Sequence, residues 1–103
     1  MATKMYGGST VEVTEEGYMV NMNEWSREIA IEIAKEQGIE LTDKHFELMD
    51  YLRTKQAAGE TLTIRAVGKS GIVDIKGFYE LFPGGPLKLG TKIAGLPKPT
   101  SCV

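Results

Sequence analysis

Val11-Glu12-Val13-Thr14-Glu15-Glu16-Gly17-Tyr18-Met19-Val20 decides the fold class. Val11 and Val13 alternate with Glu12 and Thr14, the period-two pattern of a strand with one buried face. Glu15-Glu16-Gly17 interrupts the pattern and Tyr18-Met19-Val20 returns. Residues 9–20 therefore read as a β-hairpin, with Gly17 supplying the positive φ of a short turn. Lys4 to Tyr6 would add a third strand. Downstream the period changes. Asn23 is a good helix cap, Trp25, Ile29, Ala30 and Ile33 form one apolar stripe after it, and Gly38 is a C-terminal stop. Thr42-Asp43 opens a second helix whose inward residues are His45 or Phe46, then Leu48, Met49 and Leu52. Thr63 caps a short helix through Val67. Asp74 caps another, with Ile75, Phe78, Tyr79, Leu81 and Phe82 inward and Pro83-Gly84-Gly85 as its end. Pro86 suits the first turn of a last helix, to about Ala94. The sum is an α+β fold: a small N-terminal β-meander or hairpin packed on an array of short helices.

The chain then changes character. Gly95-Leu96-Pro97-Lys98-Pro99-Thr100-Ser101-Cys102-Val103 has no apolar period, and its two prolines fix φ and remove backbone donors. The stretch is expected to be an extended, flexible C-terminal arm over 95–103, attached to a single domain over 1–94. In polyproline geometry its nine residues span on the order of 28 Å, with the Cys102 thiol near the far end. A terminal cysteine on a frayed end can be an accident of composition. A thiol on an arm can also enter a partner's pocket.

Composition limits the alternatives. A chain of 103 residues supports one modest core, and 42% hydrophobic with 25% charged residues is ordinary for a globular domain. A formal charge of −2 gives no general attraction to nucleic acid. No apolar run is long enough for a membrane span and no signal-peptide pattern is present, so a cytoplasmic location is expected. One cysteine excludes an internal disulfide, and one cysteine with one histidine lacks the soft ligands of a zinc site. No cofactor is expected.

Leu81-Phe82-Pro83-Gly84-Gly85-Pro86 and Thr91-Lys92-Ile93-Ala94-Gly95-Leu96-Pro97-Lys98-Pro99-Thr100-Ser101-Cys102-Val103 closely resemble the C-terminal signature of the DsrC/TusE family of small sulfur-carrier proteins. Upstream, Glu16-Gly17-Tyr18, Trp25-Ser26, Leu41-Thr42-Asp43-Lys44-His45-Phe46, Tyr51-Leu52-Arg53 and Ile64-Arg65 with Lys69 resemble the same family. The resemblance implies the fold described above and a role for Cys102 as the sulfur-bearing nucleophile. It also implies an upstream sulfurtransferase of the TusBCD or DsrEFH type. The downstream partner would be a tRNA 2-thiouridylase or the dissimilatory sulfite reductase. In the dissimilatory type a second cysteine stands eleven positions before the last one. Here that position is Thr91, as in the single-cysteine TusE type. The segment between Arg65 and Tyr79 is short, however, and with Thr100-Ser101-Cys102-Val103 it resembles some dissimilatory-type members, so the relay stays open.

The remaining candidate groups follow from charge and position. Thiol exchange depends on thiolate fraction and access. Lys98 favours the Cys102 thiolate and the nearby Val103 carboxylate opposes it, so a thiol near its ordinary pKa is expected. Lys88, Lys92 and Lys98 make the last twenty residues basic. Lys92 and Lys98 are candidates for docking an acidic partner or neutralising an anionic sulfur species, and Lys88 for an ordinary solvated lysine. Arg65 and Lys69, four apart, share a helix face; they line the cleft from which the arm departs or form a plain surface pair. His45 is expected to cap or pack, Trp25 and Tyr18 to anchor the core, and Thr91 to be a surface residue.

The main functional reading is a sulfur carrier that takes persulfide sulfur on Cys102 and passes it to a partner enzyme, as a protein co-substrate more than a free-standing enzyme. The alternative is a helix-turn-helix regulatory or nucleic-acid-binding module over Thr61 to Phe82, or a non-catalytic interaction subunit. Asp74 and Glu80 beside Lys76 argue against phosphate binding by the second of those helices.

Overall fold

The computed structural model describes residues 2–98. Strand β1 (Ala2–Tyr6) pairs antiparallel with β2 (Ser9–Val13), in the register Ala2 to Val13 and Tyr6 to Ser9. Gly7 and Gly8 join them at φ +56 and +79, the two successive positive values that a tight two-residue hairpin loop demands. The Gly7 amide donates to the Glu32 carboxylate. The turn expected at Glu15-Glu16-Gly17 is present, but the returning leg is reduced to one bridge, Val13 to Met19, flanked by Val20 N–H to Glu12 O at 3.0 Å. The main partner of β2 is thus the segment expected as an added third strand. Val11 and Val13 are buried and Glu12 is exposed, as the alternation required.

A 3-10 turn (Met22–Glu24) leads to α1 (Arg27–Glu36). The cap of α1 is Ser26, whose Oγ accepts from Ile29 N–H at 3.3 Å, and not the expected Asn23. Trp25 consequently lies outside the helix, while Ile29, Ala30, Ile33 and Ala34 form its buried stripe. Helix α2 (Asp43–Ala57) buries His45, Leu48, Met49 and Leu52. Helices α3 (Ile64–Gly68) and α4 (Ile75–Leu81) start at Thr63 and Asp74, whose side chains accept from Ala66 N–H and Gly77 N–H. In α4 only Phe78 is fully buried, with Phe82 just beyond it; Ile75 and Tyr79, expected inward, are 47% and 44% exposed. A seven-residue helix presents one narrow stripe to its neighbours, and that stripe runs through 78 and 82.

Helix α5 (Pro86–Ile93) is the central element, packed against α1, α2 and α4. Leu52, Phe78 and Phe82 all close on its Gly90. The core runs from Val11, Val13 and Met19 through Ile29, Ile33, Leu48 and Leu52 to Phe82, Leu87 and Ile93. Gly95 and Leu96, expected as the first residues of the arm, are part of this body: Leu96 is fully buried. No helix among the described residues is long and apolar enough to cross a membrane.

Candidate functional site at the root of the tail

The end of α5 is fastened atom by atom. A helix leaves its last four carbonyls without partners inside the helix, and here all four are accounted for. Leu96 N–H donates to Thr91 O at 2.9 Å and Gly95 N–H to Lys92 O at 3.3 Å, the reciprocal pair of a Schellman motif closed by a glycine at φ +73. The next carbonyl, Ile93 O, accepts from the Trp25 indole N–H at 2.8 Å. The last, Ala94 O, accepts from Arg53 Nη1 at 2.8 Å, and Arg53 Nη2 donates to Met22 O at 2.9 Å. The guanidinium lies 4.4 Å from the Trp25 ring centre, a cation–π stack. Burial pulls the Arg53 pKa below its ordinary value, with Asp50 opposing; a guanidinium remains charged regardless. A cation beside the carbonyl end of a helix is also favoured by the helix dipole. Cys102 lies outside the described residues, six positions beyond Leu96.

Lys92 and Lys98 are brought together around the turn that follows β2. Lys92 Nζ sits 5.2 Å from the centre of the Tyr18 ring, and Lys98 Nζ is 2.9 Å from a Glu16 carboxylate oxygen. Tyr18 is buried and donates to Lys88 O at 3.4 Å. Its phenol is raised above the ordinary value by burial and by Glu16, against Lys98 and Thr91. A groove of about 420 Å³ opens here, lined by Glu16, Tyr18, Gly85, Lys88, Leu89 and Lys92 among others. Arg65 and Lys69 are not part of its lining: both are exposed, on α3 and its C-terminal cap.

Thr91 is fully buried, in contrast to the expected surface position. It falls on the inward stripe of α5 with Leu87 and Gly90, and its hydroxyl donates to Leu87 O at 2.7 Å, the back-bond available to a helical threonine. His45 behaves as a packing and capping residue. Its Nδ1 accepts Thr42 N–H at 3.0 Å, which leaves the ring proton on Nε2, 2.9 Å from Leu81 O. Both nitrogens are occupied, so the ring is no free base. No group of three or more His, Cys, Asp or Glu side chains among the described residues is placed to hold a metal ion.

Sequence reasoning passed over Arg53 as a site residue and read Trp25 as a core anchor only. The available signal was an arginine on the flank of the Leu48, Met49 and Leu52 stripe, where a solvated lysine would be unremarkable and a guanidinium able to serve two carbonyls is not.

Residues 5–103 match the family model described as DsrC like protein. Over their full lengths the chain is 34% identical to the sulfurtransferase TusE of Photorhabdus laumondii. It is 35% identical, again over both full lengths, to the dissimilatory-type sulfite reductase subunit gamma of Nitratidesulfovibrio vulgaris. The structure of Allochromatium vinosum DsrC superposes with a TM-score of 0.80 at 38% identity, covering 98% of this chain and 97% of that one. With the family model spanning nearly the whole sequence and both groups of relatives matched end to end, the chain belongs to the DsrC-like protein family.

Proposed function

We propose that this protein is a cytoplasmic sulfur carrier in which the Cys102 thiol is loaded with sulfur by one enzyme and unloaded by another. The observation that carries the reading is the fastening of α5 at Leu96. It fixes the end of the helix that stands six positions before the only cysteine in the sequence. Fully extended, six residues span at most about 20–22 Å. The names of the relatives, a sulfurtransferase and a sulfite reductase subunit, support a role in sulfur transfer.

In the loading step the Cys102 thiolate attacks the outer sulfur of a donor persulfide. A new S–S bond forms, the donor's S–S bond breaks, and the donor leaves as a thiolate. No external oxidant or reductant is needed, and the rate follows thiolate fraction and access. Unloading is the same exchange toward the acceptor. With Thr91 at the position of the second cysteine, a disulfide cannot close within the chain, so release requires a thiol or nucleophile of the partner. Lys92 and Lys98 would meet an acidic partner surface beside the tail, and Arg65 with Lys69 would form a separate contact on α3. The donor would be a sulfurtransferase of the TusBCD or DsrEFH type, the acceptor a tRNA 2-thiouridylase or the dissimilatory sulfite reductase. The helix-turn-helix reading has less support. Helices α3 and α4 have the outline, but α4 exposes Ile75 and Tyr79 with Lys76 opposed by Asp74 and Glu80, too little positive charge for phosphate binding.

The test is intact mass spectrometry of the reduced protein after incubation with a persulfide-loaded sulfurtransferase, beside Cys102→Ser. One added sulfur, removed by reductant and missing from the variant, is the expected result. No adduct from several competent donors would overturn the proposal.

A further inference from the structure

We infer that Arg53 and Trp25 are positioning residues for sulfur transfer, because together they hold the two outermost carbonyls of α5, from which the thiol-bearing tail departs. The inference rests on the sulfur-carrier reading above. A thiol on a tether reacts in a partner's pocket only when it arrives within about 3–3.5 Å of the donor sulfur along the right line, and misplacement by 1 Å can lower such a rate on the order of 100-fold. The length of the tether limits how much misplacement at the root can be absorbed at the tip. Hydrogen bonds within the backbone close only Thr91 O and Lys92 O. Ile93 O and Ala94 O depend on side chains from two other parts of the chain, Trp25 ahead of α1 and Arg53 in α2. These two side chains also hold each other, ring against guanidinium, and Arg53 reaches on to Met22 O. This helix end is buried from Ile93 to Leu96, so its carbonyls cannot be left to water, and a half-buried cation and the sole tryptophan are the donors committed to two of its peptide groups.

The chemistry divides the roles. Neither residue is placed to act on sulfur, so intrinsic thiol reactivity is independent of them. Lys92 in the last turn of α5 and Lys98 two residues after Leu96 flank the clamped end, but each has its own hold at the Tyr18 turn, Lys92 over the ring and Lys98 on Glu16, so the docking charges stay in place when the clamp is lost. Loss of the clamp therefore lowers kcat for loading with little change in KM.

The experiment compares wild type, Arg53→Met, Arg53→Lys and Trp25→Phe, each quantified by folded fraction. Two rates are measured on each: loading from a persulfide-charged sulfurtransferase over a range of carrier concentrations, and alkylation of Cys102 by iodoacetamide, which needs no docking. For Arg53→Met we expect kcat to fall at least tenfold, with KM and the alkylation rate each within twofold. Arg53→Lys keeps the charge but serves one carbonyl at a time, and should fall between. Trp25→Phe keeps an aromatic face for the guanidinium while deleting the indole donor and part of the ring's packing, so it tests the clamp even if the arginine variants fold poorly; a fall of about threefold is expected. Wild-type loading with unchanged kcat in Arg53→Met or Trp25→Phe overturns this inference and leaves the carrier reading intact. No loading of wild type from any donor overturns the carrier reading, and this inference with it.

Discussion

Replacing Gly95 by alanine puts a methyl group where the Trp25 ring already lies, and two penalties add. The first is conformational. Gly95 holds φ +73, a left-handed value that costs an ordinary residue roughly 1–2 kcal/mol. The second is steric. A Cβ built on Gly95 falls 2.4, 2.6 and 2.7 Å from Cδ1, Cγ and Cβ of Trp25, and overpacking of that kind costs about 1–3 kcal/mol. The indole cannot simply swing aside, because Nε1 is bonded to Ile93 O and Arg53 is stacked on the ring. Alanine recovers on the order of 0.4–1 kcal/mol by restricting the unfolded chain. The balance is a loss of about 2–4 kcal/mol. Gly38→Ala is the matched control: φ is +74, yet nothing lies within 4 Å of the new methyl, so only the backbone penalty of about 1 kcal/mol remains. Urea unfolding followed by the fluorescence of Trp25 separates the two. With a slope of about 1–3 kcal/mol per molar urea, the Gly95→Ala midpoint should fall by roughly 1–2 M and the control by about 0.5 M. Equal losses in the two variants would refute the close approach of Trp25 to the tail root, and with it the clamp.

Other outcomes follow from single contacts. The Tyr6 phenol is raised above its ordinary 10.0, chiefly by burial and then by its hydrogen bond to Glu36, with Lys4 opposing. The folded state keeps a proton that the unfolded chain releases, so this contribution is full below about pH 10 and is lost as pH rises toward the folded pKa. Denaturant midpoints of Tyr6→Phe should therefore decline less steeply above that pH than those of wild type; parallel curves would contradict the assignment. His45→Ala removes the acceptor for Thr42 N–H and the donor to Leu81 O, a loss of about 2–3 kcal/mol. Calorimetry should show it as a clearly lowered Tm, with Cys102 alkylation unchanged; a slowed thiol would contradict the purely structural role of the ring. Thr91→Val deletes a hydroxyl whose back-bond to Leu87 O is shared with Lys88 O and which also touches the Tyr18 phenol, and it should lower the urea midpoint by the equivalent of about 1 kcal/mol. The Lys98–Glu16 pair is about half exposed on both sides, so Lys98→Ala should leave stability within about 1 kcal/mol of wild type, and any defect should be confined to transfer from the partner.

The features legible in the sequence were local ones. The starts of α3 and α4 at Thr63 and Asp74, the start of α2 after Thr42 and the span of α5 from Pro86 depend on a residue and its neighbours three or four positions on, and they were legible from the caps alone. The tail motif likewise singled out Cys102, Lys92 and Lys98 without any coordinates. The tertiary structure decided the rest. Both flanks of β2 carry pairing patterns, and which one takes the full ladder depends on the Gly7-Gly8 turn and on what packs beneath it. Ile75 and Tyr79 look as apolar as Phe78 and Phe82, but a short helix buries the stripe its neighbours cover. Thr91 is buried because α5 is surrounded by α1, α2 and α4, and polarity in the sequence carries no record of that. The clamp is the clearest case: Arg53 lies 41 positions from Ala94 and Trp25 lies 68 from Ile93. Separations of that size leave no periodic signal, since only the packing of α1 and α2 on α5 creates the geometry in which an arginine and a tryptophan can finish a helix to which neither belongs.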